Sequence, residues 1–391
     1  MRNRLFLYLL ALTTIFSIVP ASAVLSSDLI PTVFDKLLNS RVLADPAMVL
    51  IDGKTGEVIY ERNSQSLRKP ASVIKLLSGA VTLEYLDPSS RFVTSAYMGL
   101  HTKTLVIEGS LDPWISLNNL EAKKMHRTSL PRFATYSMRA LKSANHGSLK
   151  NISVKYYGLY SQDIAHLKAF WAKRGFKPTF ISVSKDAALA AKGESVFSSQ
   201  SPTVEEILNF TMLWSDNLLA ERLARLASRA AGYGSTDLGV TTTFHALLNR
   251  LNIDGSQLVI ADGSGLSKED RVSAQVIGQL LFKIRGDAKF ELLYKSLPVS
   301  GISGTLKNRF TATAPSAVGL VHAKTGTLNG TVALAGYVES SDREYIFAIL
   351  ADKILIGSTS ENKARAAIDR LLGQIAAPFI ETQVSQSAEK P

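Results

Sequence analysis

The chain has 391 residues, of which 46% are hydrophobic and 20% charged, and its formal net charge at pH 7 is +11. It contains no cysteine, which excludes disulfide bonds, a cysteine nucleophile and a thiolate metal site. The six histidines show no spacing typical of metal ligands, so we expect no metal site.

The N-terminus is typical of a secretory signal peptide. Arg2 and Arg4 precede an apolar stretch that ends in Ala21-Ser-Ala23, a pattern that signal peptidases cleave. We therefore predict a signal peptide over residues 1–23 and an extracytoplasmic location: secreted, in the cell wall or in the periplasm. A retained membrane anchor is the alternative. Nucleic acid is not an expected partner of an exported protein, and the remaining chain is long enough for two domains.

The first predicted strands lie at 47–51 and 57–61. The polar segment between them, Asp52-Gly-Lys54-Thr-Gly56-Glu57, is typical of a hairpin turn. The Lys-Thr-Gly tripeptide in this turn is therefore predicted to have no chemical role.

A largely buried helix is predicted next, because an apolar run follows Pro70 and Ala71. Ser72 lies in its first turn and Lys75 follows on the same face, which places a nucleophile beside a base. Taken alone, this pair is also compatible with a serine helix cap and an ordinary surface lysine. Four other serines precede a lysine by three positions but lack a buried helix: Ser66, Ser182, Ser360 and Ser387.

Residues 91–199 are predicted to form an inserted accessory domain. They contain strand-like and helix-like segments of their own, with strands at 92–98, 104–108 and 152–159 and helices near 131–144 and 163–174. They also carry 16 Lys or Arg residues against 6 Asp or Glu residues, which is nearly all of the excess positive charge of the chain. This asymmetry favours contact with a polyanion, and a merely lysine-rich surface is the alternative.

A short polar break interrupts the next two predicted helices, 203–214 and 218–231. It consists of Ser215-Asp-Asn217, in which a second hydroxyl group can relay a proton and an amide can hold a peptide backbone. A polar break between buried helices is unusual unless it has a function.

The last predicted strands are 318–323, 331–338 and 345–351, and a helix over 360–373 follows. Lys324-Thr-Gly-Thr327 is predicted to end the first of these strands, where an edge backbone can bind an extended peptide and the lysine can bind a carboxylate. The polar tail over 377–391 is predicted to be disordered.

Taken in order, Ser72-Val-Ile-Lys75, Ser215-Asp-Asn217 and Lys324-Thr-Gly326 are the set found in penicillin-binding proteins and class A β-lactamases. The chain resembles the class C low-molecular-mass penicillin-binding proteins, the D-alanyl-D-alanine carboxypeptidase/endopeptidase family. Further segments carry the resemblance: 196–202, 214–221, Asp262-Gly-Ser-Gly-Leu-Ser267, 297–306 and 323–328.

The resemblance implies an α/β (α+β) fold of the β-lactamase/transpeptidase type, with a mainly antiparallel sheet flanked by helices. Residues 24–90 and 200–376 would form this discontinuous catalytic domain, which the accessory domain over 91–199 interrupts. The family often has Asn where this chain has Asp216, which we expect to face away from the substrate.

The resemblance also implies the chemistry. Ser72 would form an acyl-enzyme with peptidoglycan stem peptides or β-lactam antibiotics, and Lys75 would be its base, with a pKa lowered by the helix end and by Lys324. Ser215 would pass the proton to the leaving amine, and neither a metal nor an organic cofactor would be needed. The residues implied to bind substrate are Asn217, Lys324, Thr325, Gly326 and Thr327, and the backbone N–H groups of Ser72 and Thr327 would form the oxyanion hole.

In this context the polyanion that the basic segment over 91–199 contacts would be an anionic wall polymer or lipid head groups. Two other functions stay open at this point: a β-lactamase or esterase on the same fold, and a non-catalytic wall-binding protein. The balance between carboxypeptidase and endopeptidase activity does not follow from the sequence.

Overall fold

The computed structural model describes residues 25–379. The predicted signal peptide and the part of the predicted tail beyond 379 lie outside the described residues. Ala377, at the start of that tail, pairs with Ser340 in an isolated parallel bridge. Within the described range, no helix combines the length and the apolar character that a membrane span requires.

The described residues contain twelve α-helices and ten β-strands. The helices are α1 (Ile30–Leu38), α2 (Lys75–Tyr85), α3 (Asn119–Lys124), α4 (Leu130–Ala144), α5 (Ser161–Ala172), α6 (Lys185–Ala191), α7 (Val204–Trp214), α8 (Asn217–Ala230), α9 (Asp237–Arg250), α10 (Ala274–Ile284), α11 (Glu291–Lys295) and α12 (Ser358–Gly373). The strands are β1 (Ala47–Asp52), β2 (Val58–Arg62), β3 (Arg91–Gly99), β4 (Thr104–Gly109), β5 (Ser153–Tyr157), β6 (Thr179–Ser182), β7 (Lys192–Thr203), β8 (Val321–Leu328), β9 (Thr331–Ser340) and β10 (Arg343–Ala351).

The first sheet is antiparallel throughout and has the strand order β2-β1-β10-β9-β8. Its central strands are almost continuously apolar because helices cover both faces. One face packs on a large buried cluster contributed mainly by α2 and α7 to α10. The other face packs on α1 and α12. The predicted fold class, a mainly antiparallel sheet flanked by helices, is confirmed.

The hairpin turn predicted around Lys54 is confirmed, since β1 and β2 pair antiparallel and the Asp52 carboxylate accepts hydrogen bonds from the Lys54 and Thr55 N–H groups. Lys324-Thr-Gly-Thr327 lies in the last part of a strand, as predicted, but the predicted bounds of that strand, 318–323, are wrong. Strand β8 begins at Val321 and runs through Lys324 to Leu328, because its pairing with β9 continues along this whole length. The strand nevertheless lies at the edge of the sheet, as expected.

A second sheet, of order β6-β5-β4-β3-β7, is built from residues 91–203. Strand β3 pairs antiparallel with β4 and with β7, whereas β5 pairs parallel with β4 and with β6. Helices α4 and α5 cover one face with an apolar cluster that includes Trp171 and Phe133. The sequence did not reveal β7, which changes register against β3. Strand β7 crosses residue 199, and the predicted domain boundaries stay a prediction.

Candidate active site

Ser72 lies in a single 3₁₀ turn, Ala71–Ile74, that leads directly into α2. Ala71 adopts a left-handed backbone conformation with φ +46°, which is costly for a residue other than glycine and persists only where the surroundings impose it. Val73 and Ile74 are buried in the main core and anchor the turn. As predicted, Lys75 follows on the same face, and its Nζ lies 2.8 Å from the Ser72 Oγ.

The Lys75 side chain is fully buried and its Nζ has two further acceptors. It donates to the Asn217 Oδ1 at 2.7 Å and to the Ser264 carbonyl at 2.5 Å. Burial lowers the pKa of Lys75 from 10.5 to about 8, against the opposing charges of Asp262 and Asp216. Desolvation is therefore the largest cause, and the sequence-based expectation had named only the helix end and Lys324. A sizeable fraction of Lys75 is neutral near pH 8.

Ser215 occupies the junction between α7 and α8. It ends α7 in the left-handed region with φ +59°, and Asp216 then caps α8 by accepting a hydrogen bond from the Leu219 N–H at 2.9 Å. This cap aims Asn217, the first residue of α8, at Lys75. The carboxylate of Asp216 is thus engaged with its own helix, and its orientation relative to substrate stays a prediction.

Lys324 is also fully buried, and its Nζ donates to the Ser215 Oγ at 2.8 Å and to the Thr325 carbonyl at 3.1 Å. Burial first, and then the charge of Lys75, lower the pKa of Lys324 well below its ordinary value. Two ammonium groups in one buried site disfavour each other. A carboxylate bound beside Lys324 would reverse this shift.

The other residues of the third motif line the same edge strand. The Thr325 hydroxyl donates to the Thr305 Oγ1 at 2.9 Å. Gly326 lets β8 pack against the chain before Ser72, since a Cβ there would lie 2.6 Å from the Pro70 carbonyl oxygen. The Thr327 Oγ1 accepts a hydrogen bond from the Arg365 Nη2 at 3.3 Å. The structure therefore brings all three predicted motifs to one place.

Several residues that the sequence did not assign a role support this arrangement. The Asp262 carboxylate accepts hydrogen bonds from the backbone of Ser264 and Ser267 at 2.7 Å each, which holds the Ser264 carbonyl against Lys75. Glu221 accepts from the Gly263 N–H at 2.6 Å. The segment Asp262-Gly-Ser-Gly was recognised as part of the family resemblance, but the sequence analysis assigned no role to its residues. Nothing in the sequence pattern pointed to Arg365.

The alternative copies of the motifs lie elsewhere. Lys54 is exposed in the β1–β2 turn, and β2 is the edge opposite β8. At about 4.8 Å per strand, the two edges of this sheet are roughly 19 Å apart. Ser66 and Ser182 are exposed, and Ser387 lies outside the described residues. Among residues 25–379, no group of three His, Asp or Glu side chains is placed to hold a metal ion.

The chain that carries these three motifs is similar in sequence to known proteins. A family model described as the D-Ala-D-Ala carboxypeptidase 3 (S13) family matches residues 35–129 and 151–375. Carboxypeptidase DacB of Mycolicibacterium smegmatis is 28% identical over 380 residues, which cover 85% of this chain and 81% of that protein. The D-alanyl-D-alanine carboxypeptidase of an Actinomadura species is 38% identical over 156 residues, 38% of this chain and 28% of that protein.

Solved structures share the fold. Penicillin binding protein 4 (dacB) from Haemophilus influenzae superposes with a TM-score of 0.67 at 15% identity, covering 89% of this chain and 98% of that chain. A predatory peptidoglycan endopeptidase from Bdellovibrio bacteriovorus superposes with a TM-score of 0.57 at 17% identity, covering 85% and 93% of the two chains. Both similarities extend over the second sheet as well as the first, because they cover most of the chain.

Proposed function

The chain belongs to the D-Ala-D-Ala carboxypeptidase 3 (S13) family, and on that premise we propose that it is a class C low-molecular-mass penicillin-binding protein that hydrolyses D-alanyl-D-alanine ends of peptidoglycan stem peptides. One observation carries the assignment of the nucleophile. The buried, partly neutral Lys75 lies 2.8 Å from the Ser72 hydroxyl, whereas Ser66 and Ser182 are exposed and have no such partner among the described residues.

Acylation begins when neutral Lys75 takes the Ser72 proton and the Oγ attacks the carbonyl carbon of the penultimate D-Ala. The oxyanion that forms is held by the backbone N–H groups of Ser72 and Thr327. Asn217 and the exposed edge of β8 orient the extended peptide, the latter by strand addition.

Ser215 passes a proton to the leaving D-Ala amine and receives in its place the proton that Lys75 took from Ser72, so Lys75 becomes neutral again. The Ser215 Oγ is held by a hydrogen bond from Lys324. Lys324 and Thr325 bind the terminal carboxylate of the peptide, and this bound anion favours the protonated form of Lys324. Water then releases the acyl group from Ser72. All of these steps use side chains and backbone groups of the chain itself.

The same site accepts a cross-linked peptide when the leaving amine belongs to a neighbouring stem peptide, so we propose endopeptidase activity as a second outcome of one mechanism. A β-lactamase or esterase would use the same fold, and the family match favours the wall enzyme. A purely non-catalytic wall-binding role is not favoured, because it leaves the buried Ser72–Lys75 pair without a purpose.

β-Lactams are proposed to acylate Ser72, and one solved structure of the Haemophilus influenzae protein contains a β-lactam. Labelled penicillin should attach to the tryptic peptide that contains Ser72, and Ser72→Ala should abolish labelling while the circular dichroism spectrum stays unchanged. Mass spectrometry should detect free D-Ala released from stem peptides. Label that persists in Ser72→Ala, or that maps to Ser66 or Ser182, contradicts the assignment.

The location and the docking partners are also proposals. The N-terminal pattern favours export to the cell wall or periplasm. The exposed lysines of residues 91–199, such as Lys123 and Lys124, favour attraction of this region to anionic wall polymers or lipid head groups. Such attraction is screened over roughly 8–10 Å at physiological salt, so binding should weaken as salt rises.

A further inference from the structure

A groove lies on the face of the second sheet that α4 and α5 leave uncovered. Helix α6 packs on part of this face through the buried Ala188, and the rest is open toward the C-terminal end of α8. Two cavities of about 440 and 270 Å³ adjoin there and share Gly109, Ser110, Tyr157 and Lys185. Together they have the size of an oligomer-binding site rather than of a single water-filled hole.

The groove offers aromatic rings and cations on opposite sides. Tyr97 and Tyr157 line it from the sheet, and Lys192 lies over the Tyr97 ring at 4.8 Å while paired with Glu108 at 2.9 Å. Lys185 and Arg229 line the other side, are exposed, and form no ion pair with any described residue. These two cations are therefore available to a bound anion.

The groove is connected to the candidate active site by one helix. Helix α8 begins with Asn217, which contacts Lys75, and Arg229 lies twelve positions later. At 1.5 Å per residue, this separation is about 18 Å along the helix. A polymer chain that has one end beside Asn217 therefore needs only a few units to reach the groove.

We propose that this groove binds the glycan–peptide strand of the wall polymer at a distance from the peptide end being cleaved. The Tyr157 ring, which lines both cavities, suits the apolar face of a sugar ring, and Lys185 and Arg229 suit the carboxylates that the strand carries. The inference rests on the proposed function, because the occupant is a more distant part of the same substrate. An anionic membrane surface fits less well, since a flat surface does not enter a concave groove.

The test compares two charge reversals of equal size. The groove variant is Lys185→Glu with Arg229→Glu, and the control is Lys103→Glu with Lys150→Glu, both exposed lysines of the same region outside the groove. The measurements are the Kd of soluble glycan–peptide strands, in the Ser72→Ala background, and kcat/KM for strands and for a short peptide ending in D-Ala-D-Ala.

The groove variant should bind strands at least tenfold more weakly and show a raised KM for strands, with turnover of the short peptide within twofold of the parent. The control should stay within twofold on every measurement. Amidating the strand carboxylates should remove the difference between the parent and the groove variant. A Tyr157→Leu variant, which replaces the aromatic ring with a smaller apolar side chain, should weaken strand binding without changing the charge.

Equal losses in the groove and control pairs would overturn the proposal in favour of diffuse charge attraction. Strand binding that is unaffected by the groove variant, while binding to phosphatidylglycerol vesicles falls, would assign the groove to lipid and also overturn it. Failure of the proposed function is distinguishable, because the parent enzyme would then release no D-Ala from the short peptide. In that case, binding of glycan–peptide strands to the Ser72→Ala protein still shows whether the groove is a binding site.

Discussion

The lysines of the two sheet regions differ sharply in their surroundings. Lys75 and Lys324, beside the first sheet, are fully buried, whereas Lys123 and Lys124, in the region of the second sheet, are exposed. An exposed ammonium group keeps its hydration and acts as a charge that salt screens. A buried one loses that hydration, its pKa falls, and it becomes able to accept a proton near neutral pH.

A lysine side chain therefore serves in binding when it is exposed, and in proton transfer when it is buried and hydrogen-bonded to uncharged acceptors. Lys75 has three acceptors within 2.8 Å, all of them uncharged: the Ser72 hydroxyl, the Asn217 amide and the Ser264 carbonyl. Uncharged acceptors orient the amine without stabilising its charge as a carboxylate would.

The largest effect is expected from Lys75→Met, which removes the amine and keeps the length of the buried side chain. Loss of a general base costs typically 10²- to 10⁴-fold in rate, so acylation of Ser72 by penicillin should slow by about that factor. Stopped-flow acylation kinetics measure it, with Lys142→Met as an exposed control that should leave the rate unchanged. A loss of less than about fivefold would remove Lys75 from the role of base.

The next effect separates the two Lys-Thr-Gly copies. Lys324→Ala should lower kcat/KM for a D-Ala-D-Ala peptide by about 2–4 kcal/mol of transition-state binding, the scale of losing one partner of a charged contact. Lys54→Ala, at the opposite edge of the sheet, should change it by less than twofold. Steady-state kinetics of both variants decide the matter, and equal effects would refute the assignment of Lys324.

A buried acid in the second region gives a stability test. Asp112 is 2% exposed, and burial raises its pKa to about 6. The folded protein therefore binds this proton more tightly than the unfolded chain, so the stabilisation is complete below about pH 4 and is lost as pH rises through about 6. Asp112→Asn should flatten this dependence and raise the free energy of unfolding at pH 7.5 by up to about 3 kcal/mol.

Urea unfolding at pH 4 and pH 7.5 measures this effect. The Asn side chain keeps the acceptor for the Trp114 N–H, which the aspartate contacts at 2.8 Å. The variant should match the parent at pH 4. A variant that is less stable than the parent at pH 7.5 would show that Asp112 is retained as an anion by its neighbours.

The pH dependence of acylation tests the burial of Lys75 directly. Because its pKa is about 8 and the neutral amine is the active form, the acylation rate should rise about tenfold per pH unit below that value and level off above it. The rate of labelling by penicillin between pH 6 and 9.5 measures this. A rate that is independent of pH across this range would contradict a Lys75 base of that pKa.

The smallest effect is expected from the exposed lysines. Neutralising Lys123, Lys124, Lys142 and Lys173 together should weaken binding to purified walls and reduce its salt dependence, since each exposed charge contributes less than about 1 kcal/mol. Turnover of a short D-Ala-D-Ala peptide should stay near normal. Unchanged wall binding together with a collapse of peptide turnover would place this region in the active site instead.

Much of the fold followed from local patterns. The hairpin around Lys54 and the helices predicted near 131–144, 163–174, 203–214 and 218–231 are present within a few residues. The parts of the fold that were not predicted share one cause. Strand β7 and the true extent of β8 depend on pairing with a neighbouring strand, which the alternation of residues within one segment does not encode.

For the candidate site, the amino-acid sequence is enough to identify the three motifs and to exclude cysteine chemistry, because residue types and short spacings are local properties. Which copies of the motifs meet depends on how the chain folds. The Ser264 carbonyl reaches Lys75 across 189 positions, and Ser215 reaches Lys324 across 109. The fold also decides the state of Lys75, because a lysine's pKa depends on the water that the fold excludes from around it, and no spacing in the sequence measures that exclusion.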